Sequence, residues 1–184
     1  MIIHPDDMFL VKEYYWPQVQ FYDKQVQVVE SVCCDNETYV VAGNKLGKDF
    51  IAGFIVLTAF IICKHRNATC RIVTTSVDEK HLDIMWGEIG RFCDTARHPV
   101  LSSRGGPFVL NHMEIRRKEE MHVKIPYNYA KGLVFSDPEK MAGHHADWTL
   151  IIGDEASGLP NVVRDRAQGW AKRMMWIGNP ESCT

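Results

Sequence analysis

Residues 39–57 constrain the fold more than any other stretch. The apolar run Tyr39-Val40-Val41-Ala42 leads into Gly43-Asn44-Lys45-Leu46-Gly47-Lys48-Asp49, and a helical-looking segment, Phe50-Ile51-Ala52-Gly53-Phe54-Ile55-Val56-Leu57, follows. Strand, glycine loop and helix in that order make a phosphate cradle. Backbone N–H groups and the helix N-terminus receive the phosphates, and a lysine ammonium at position 48 reaches the terminal ones. The full pattern, G-x-x-x-x-G-K-[ST], is broken twice here. Ala42 stands at the first glycine and Asp49 at the hydroxyl residue that normally holds Mg²⁺. A plain turn with Asp49 as helix N-cap is the simpler reading of the same residues.

The 184 residues suffice for one domain with a well-buried core. A net charge of −2 leaves no global electrostatic footprint for nucleic acid, so a polyanion would have to be met by a local patch or by a ring of subunits. The longest apolar run, Phe50 to Cys63, falls short of the roughly 20 residues of a membrane span and reads as a helix buried against a sheet. The opening Met-Ile-Ile-His-Pro-Asp-Asp carries no basic n-region, so a signal peptide is not expected. Six cysteines (33, 34, 63, 70, 93 and 183) form no C-x-x-C pair, which favours free thiols over a zinc site. The histidines, His144-His145 included, read as ordinary surface or loop residues.

In chain order, residues 5–22 carry the aromatics Phe9, Tyr14, Tyr15, Trp16 and Phe21 among others, with two prolines, and read as a loop packed onto the core. A short amphipathic helix is expected from Asp23, with Gln25 near its start. A glutamine there can pair with the N6 donor and N7 acceptor of adenine, or simply be solvated. Residues 69–75 read as a strand. Asp78 to Asp94 reads as a helix with Leu82, Met85, Trp86, Ile89 and Phe92 on one face. This β-α-β-α succession predicts a parallel sheet with crossover helices. Residues 97–111 read as a loop. Residues 113–117 and 121–125 suggest a hairpin, with Arg116-Arg117-Lys118 near its tip as a solvated or DNA-facing patch. Gly132 to Ser136 reads as a short strand and 137–147 as a polar loop.

Trp148-Thr149-Leu150-Ile151-Ile152-Gly153 then ends in Asp154-Glu155. An apolar strand ending in two acids is the second part of an ATPase site: the first orients Mg²⁺ and the second polarises the attacking water. A helix from Pro160 and a strand at 173–177 follow, ending in Gly178-Asn179-Pro180. Asn179 could sense a γ-phosphate there or simply belong to a turn.

Together, Ala42 to Asp49, Ile151 to Glu155 and Ile177 to Pro180, with Gln25 upstream, resemble the ATPase domain of phage terminase large subunits over roughly residues 15–182. Supporting details are Ala142-Gly143-His144-His145-Ala146-Asp147 before the acidic strand and Ala156-Ser157-Gly158 after it. The resemblance implies an α/β P-loop NTPase of the additional-strand type, with a mainly parallel sheet flanked by helices. It implies one ATPase domain over 1–184, with the 1–22 segment packed on it. It implies ATP and Mg²⁺ as cofactors. Lys48 would act on the β- and γ-phosphates and Glu155 would be the catalytic carboxylate. Asp154, with Asp49, would hold the metal. Gly43 to Phe50 (Asn44, Lys45, Leu46 and Gly47 included), Gln25 and Asn179 would contact nucleotide.

Implied partners are double-stranded DNA (bound weakly in isolation), a portal protein and a small terminase subunit. The chain would be a monomer alone and a ring on the procapsid, within the host cytoplasm. Two departures matter. Asp49 adds negative charge near the phosphates, and no arginine adjoins Gly143, so Arg104, Lys45 and Lys140 are the candidate charge-stabilising fingers. The chain ends four residues after Pro180, so no nuclease domain or cleavage is expected. A helicase-like translocase and a nucleotide-binding assembly module silenced by Asp49 are the competing readings.

Overall fold

A helix that is apolar on every face must be covered on every face. In the computed structural model, which describes residues 1–43, 46–134 and 142–179, helix α3 (Lys48–His65) is that element: every side chain from Ile51 to Cys63 is buried. It lies against a seven-stranded sheet built from β1 (Glu37–Val41), β2 (Cys70–Ser76), β3 (Phe108–Asn111), β4 (Glu114–Arg117), β5 (Tyr129–Val134), β6 (Trp148–Gly153) and β7 (Arg173–Gly178). The strand order is β1-β7-β6-β2-β5-β4-β3. The first five are mutually parallel, and β4 runs antiparallel to both β5 and β3.

Strand β7 lies between the loop-bearing β1 and the acidic β6. The expected additional strand is therefore present, and the chain has the P-loop NTPase fold. Parallel strands need crossovers that cover the sheet, and the alternation of β6 and β7 shows both faces in use. Leu150, Ile152, Met175 and Ile177 join one apolar core with α3, α2 (Asp23–Cys34) and α4 (Glu79–Thr95). Ile151, Met174 and Trp176 face the other way, onto Val163 and Ala167 of α5 (Asn161–Gln168) and onto Trp170.

Two close approaches depend on missing side chains. A Cβ at Gly53 would stand 3.2 Å from Glu88 Cβ and 3.3 Å from Ile89 N, so this glycine sets the α3–α4 spacing. A Cβ at Gly153 would fall 2.5 Å from the Trp176 ring. A glycine just before Asp154 thus lets β7 seat its tryptophan over the end of β6.

Three expectations need correction. Residues 5–15 are a helix, α1 (Pro5–Tyr15), not a loop. Pro5 at its first position and Asp6 and Asp7 in its first turn suit a helix start, and the His4 N–H donates to Asp7 Oδ2 at 2.8 Å. Its aromatics do pack inward in part: Trp16 is fully buried and its Nε1 donates to Phe92 O, while Tyr14 stays exposed. The hairpin is formed by β3 and β4 around Asn111–Met113, so residues 108–111 are a strand and not the end of a loop, and residues 121–125 are not a strand. The basic triplet is no open patch either. Arg117 is buried and donates to Ala68 O, and Arg116 pairs with Glu114 at 2.7 Å. Charged side chains satisfied inside a fold cannot be told from solvated ones by spacing alone.

Candidate functional site

The loop after β1 enters α3 through Gly47, whose left-handed backbone (φ 75°) is open to glycine at little cost. Gly47, not Asp49, is the N-cap, so the simple-turn reading of Asp49 does not hold. The first intrahelical bond is Ile51 N–H to Gly47 O at 3.0 Å. The N–H groups of Lys48, Asp49 and Phe50 therefore have no carbonyl partner within the helix, and the positive end of the helix dipole opens onto the loop. Anions bind at such ends. Beyond the loop, Ala42 N–H donates to Gly178 O at 3.2 Å, which ties the loop to the end of β7 and places Asn179 between the loop and β6. Asn44, Lys45 and Pro180 lie outside the described residues.

Lys48 and Glu155, 107 residues apart in sequence, meet here beside Asp154. Lys48 Nζ donates to Glu155 Oε1 at 3.0 Å and stands 3.7 Å from Asp154 Oδ1. Asp154 is 1% exposed, Lys48 8% and Glu155 20%. Asp154 is anchored by its own N–H, donating to Thr75 O at 2.8 Å on β2, while its Oδ1 is buried with no hydrogen-bond donor. Burial raises the Asp154 carboxyl above its ordinary range, and Lys48 only partly offsets this. Burial alone would lower the Lys48 ammonium, yet Glu155, Asp154 and Asp49 together raise it. Glu155 holds a left-handed backbone (φ 49°, ψ 47°), a conformation that costs a non-glycine residue about 1–2 kcal/mol. The strained turn coincides with the residue expected to be catalytic.

Asp49 is half-buried in the first turn of α3. Burial first, and then Asp154, raise its carboxyl above the ordinary range. Among the described residues the group able to hold a metal ion is His81, Asp154 and Glu155, and Asp49 is not part of it. His81 escaped the sequence reading. It sits in the first turn of α4, where Asp78 caps the helix by accepting from the His81 N–H at 3.1 Å. That turn follows the C-terminal end of β2, the strand beside β6, and ligands in α/β sheets collect at the C-terminal ends of strands. This rule was the available signal.

Gln25 is 6% exposed and lines a cavity of about 520 Å³ between α2, β1 and the loop, together with Tyr22, Val28, Leu46, Gly47 and Lys48. A side chain at Gly47 would meet Gln25 Nε2 at 2.9 Å, a second reason for glycine there. The Tyr22 hydroxyl donates to Leu46 O and pins the loop's far side. Two histidine expectations change: His81 is at the site, and His144 is buried, sharing a hydrogen bond with the Tyr129 hydroxyl. Arg104 donates to Asp94 O at the far end of α4, about 20 Å along that helix from His81, and so does not reach this chain's own site. Lys140 lies outside the described residues.

No protein-family model matches the chain, and no curated protein matches it. Solved structures do. The ATPase domain of the Thermus phage P74-26 large terminase is 14% identical, with a TM-score of 0.61 over 96% of this chain and 70% of that one. A mutant of the same domain gives 0.63 over the same shares. The HK97 bacteriophage large terminase is 10% identical, with a TM-score of 0.60 over 97% of this chain and 38% of that one. The chain shares its fold with phage large-terminase ATPase domains.

Proposed function

We propose that this chain binds and hydrolyses ATP and, as the motor domain of a large terminase, drives double-stranded DNA into a viral procapsid. The observation that carries the reading is the meeting of Lys48, Asp154 and Glu155 at the mouth of a phosphate-type loop. The shared fold supports it. A nucleotide's phosphates would lie along the N–H groups of residues 47–50, and its base in the cavity bearing Tyr22 and Gln25. Lys48 would then exchange its carboxylate partners for β- and γ-phosphate oxygens.

That exchange frees Glu155 to accept a hydrogen bond from water and orient it in line with the γ-phosphorus. Catalysis then rests on positioning and charge. The orphaned, buried Asp154 Oδ1 suits a divalent cation. Asp154 would hold Mg²⁺ with Asp49 nearby, and the ion would neutralise phosphate charge. Asn179, between the loop and the acidic strand, would register loss of the γ-phosphate. The charge-stabilising arginine would come from a neighbouring subunit in a ring on the portal, with weak DNA binding by the isolated monomer.

A second reading, a binding module without turnover, draws support from Asp49, a half-buried acid beside Asp154 where a hydroxyl is usual. Glu155→Gln separates the two. The motor reading predicts a turnover loss on the order of 10²–10⁴ with ATP affinity by calorimetry unchanged. Equal turnover in wild type and variant would remove Glu155 from its role.

A further inference from the structure

Three donor atoms converge beside the phosphate loop with no such set anticipated from the motifs. His81 Nδ1 is 3.8 Å from Asp154 Oδ2 and 4.0 Å from Glu155 Oε1, and the three ligand atoms lie within 4.8 Å of one another. Neighbouring ligands on an octahedral ion with bonds near 2.1 Å stand about 3 Å apart, so side-chain adjustments of under an ångström or so would close the set. Independently, Asp154 Oδ1 is fully buried and receives no hydrogen bond. The Lys48 ammonium stands 3.7 Å from it and also holds Glu155 at 3.0 Å. A monovalent cation thus already stands at the two carboxylates.

We infer that His81, Asp154 and Glu155 form a nitrogen-containing divalent-metal site that loads without nucleotide and takes first-row transition-metal ions, with Mn²⁺ as a paramagnetic probe of the set, in preference to Mg²⁺. Imidazole suits the later first-row divalent ions, whereas Mg²⁺ favours an all-oxygen shell and keeps its waters. An ion seated there displaces Lys48 from the carboxylates and releases its ammonium towards the loop. Metal loading in the nucleotide-free chain would then ready the loop for phosphate. The inference rests on the site described above but not on ATP being hydrolysed there.

The test uses the intact chain free of nucleotide, titrated with MnCl₂ and followed by electron paramagnetic resonance, with electron spin-echo modulation to detect ligand nitrogen. One Mn²⁺ should bind with a clear ¹⁴N coupling, and excess Mg²⁺ should displace it poorly. His81→Ala should abolish the coupling and weaken binding by at least about tenfold, since even loss of a metal ligand's outer partner costs 10–100-fold. Lys48→Met should tighten Mn²⁺ binding by removing the competing cation. The Asp78 cap uses the His81 main-chain N–H, so His81→Ala keeps the helix start; circular dichroism and thermal unfolding check this, and His81→Gln serves as a second variant.

Mn²⁺ bound without nitrogen coupling, with the same affinity in both His81 variants, overturns the inference, and so does absence of nucleotide-free binding. Nitrogen coupling in a chain that never hydrolyses ATP would uphold the metal site and reject the motor reading. Mg²⁺-ATP turnover without coupling would do the reverse.

Discussion

Glu120 and Asp154 are both buried carboxylates, and their surroundings differ in kind. Glu120 accepts two hydrogen bonds from Asn128, one from its main-chain N–H at 2.9 Å and one from its side-chain amide. Asn128 in turn accepts from the Cys70 N–H at 2.9 Å, which ties the loop after β4 to the start of β2. Each donor in that chain belongs to the fold. Asp154 is more deeply buried, yet one oxygen receives no hydrogen bond, and the Lys48 ammonium and the His81 imidazole stand off at 3.7 and 3.8 Å. Glu120 is a structural charge saturated by fixed partners. Asp154 is left under-saturated, at a cost to folding, as the proposed role in holding a ligand requires.

This contrast predicts opposite trade-offs. Asp154→Asn should lower metal-dependent turnover by on the order of 10²–10³ while leaving urea-unfolding stability at pH 7 unchanged or slightly higher, because a poorly paired buried charge is removed. A large loss of stability would break the comparison. Glu120→Ala should cost about 1–3 kcal/mol by the same unfolding measurement, since it strands the Asn128 N–H. Its turnover per folded molecule should not change.

The smallest effect belongs to Glu37, a carboxylate paired at the surface. The Arg164 guanidinium above all holds its carboxyl below the ordinary value of 4.5; burial opposes this, and the Tyr39 hydroxyl and Trp176 indole add to the lowering. A depressed folded-state value means the stabilisation is complete above 4.5 and is lost as pH falls through the lower folded value. The stability gap between wild type and Glu37→Gln should therefore narrow below pH 4.5; a gap that widens there would contradict the pairing.

How far the sequence carried depends on whether a signal was local. The fully apolar α3, the acidic end of β6 and the one-sided pattern of α4 each follow from contiguous residues, and each formed as read. So did the separation of β1 from β6 by β7. The α1 helix was missed because its aromatics outweighed its start signals, Pro5-Asp6-Asp7. The hairpin slipped because β4 pairs on both sides and Arg117 is satisfied by a carbonyl 49 residues away, which no local period records. His81 depends on which strand neighbours β6, a fact of topology. The acids and the lysine were legible, and the imidazole between them became visible only once β2 was placed.

ATP turnover by this chain with Mg²⁺ and with Mn²⁺, beside Lys48→Ala, tests the central claim most directly. The account predicts divalent-dependent phosphate release that disappears in the variant, because Lys48 is the cation that moves from Asp154 and Glu155 to the phosphates. Turnover that survives loss of Lys48, or that proceeds equally with the divalent ion chelated, would contradict it.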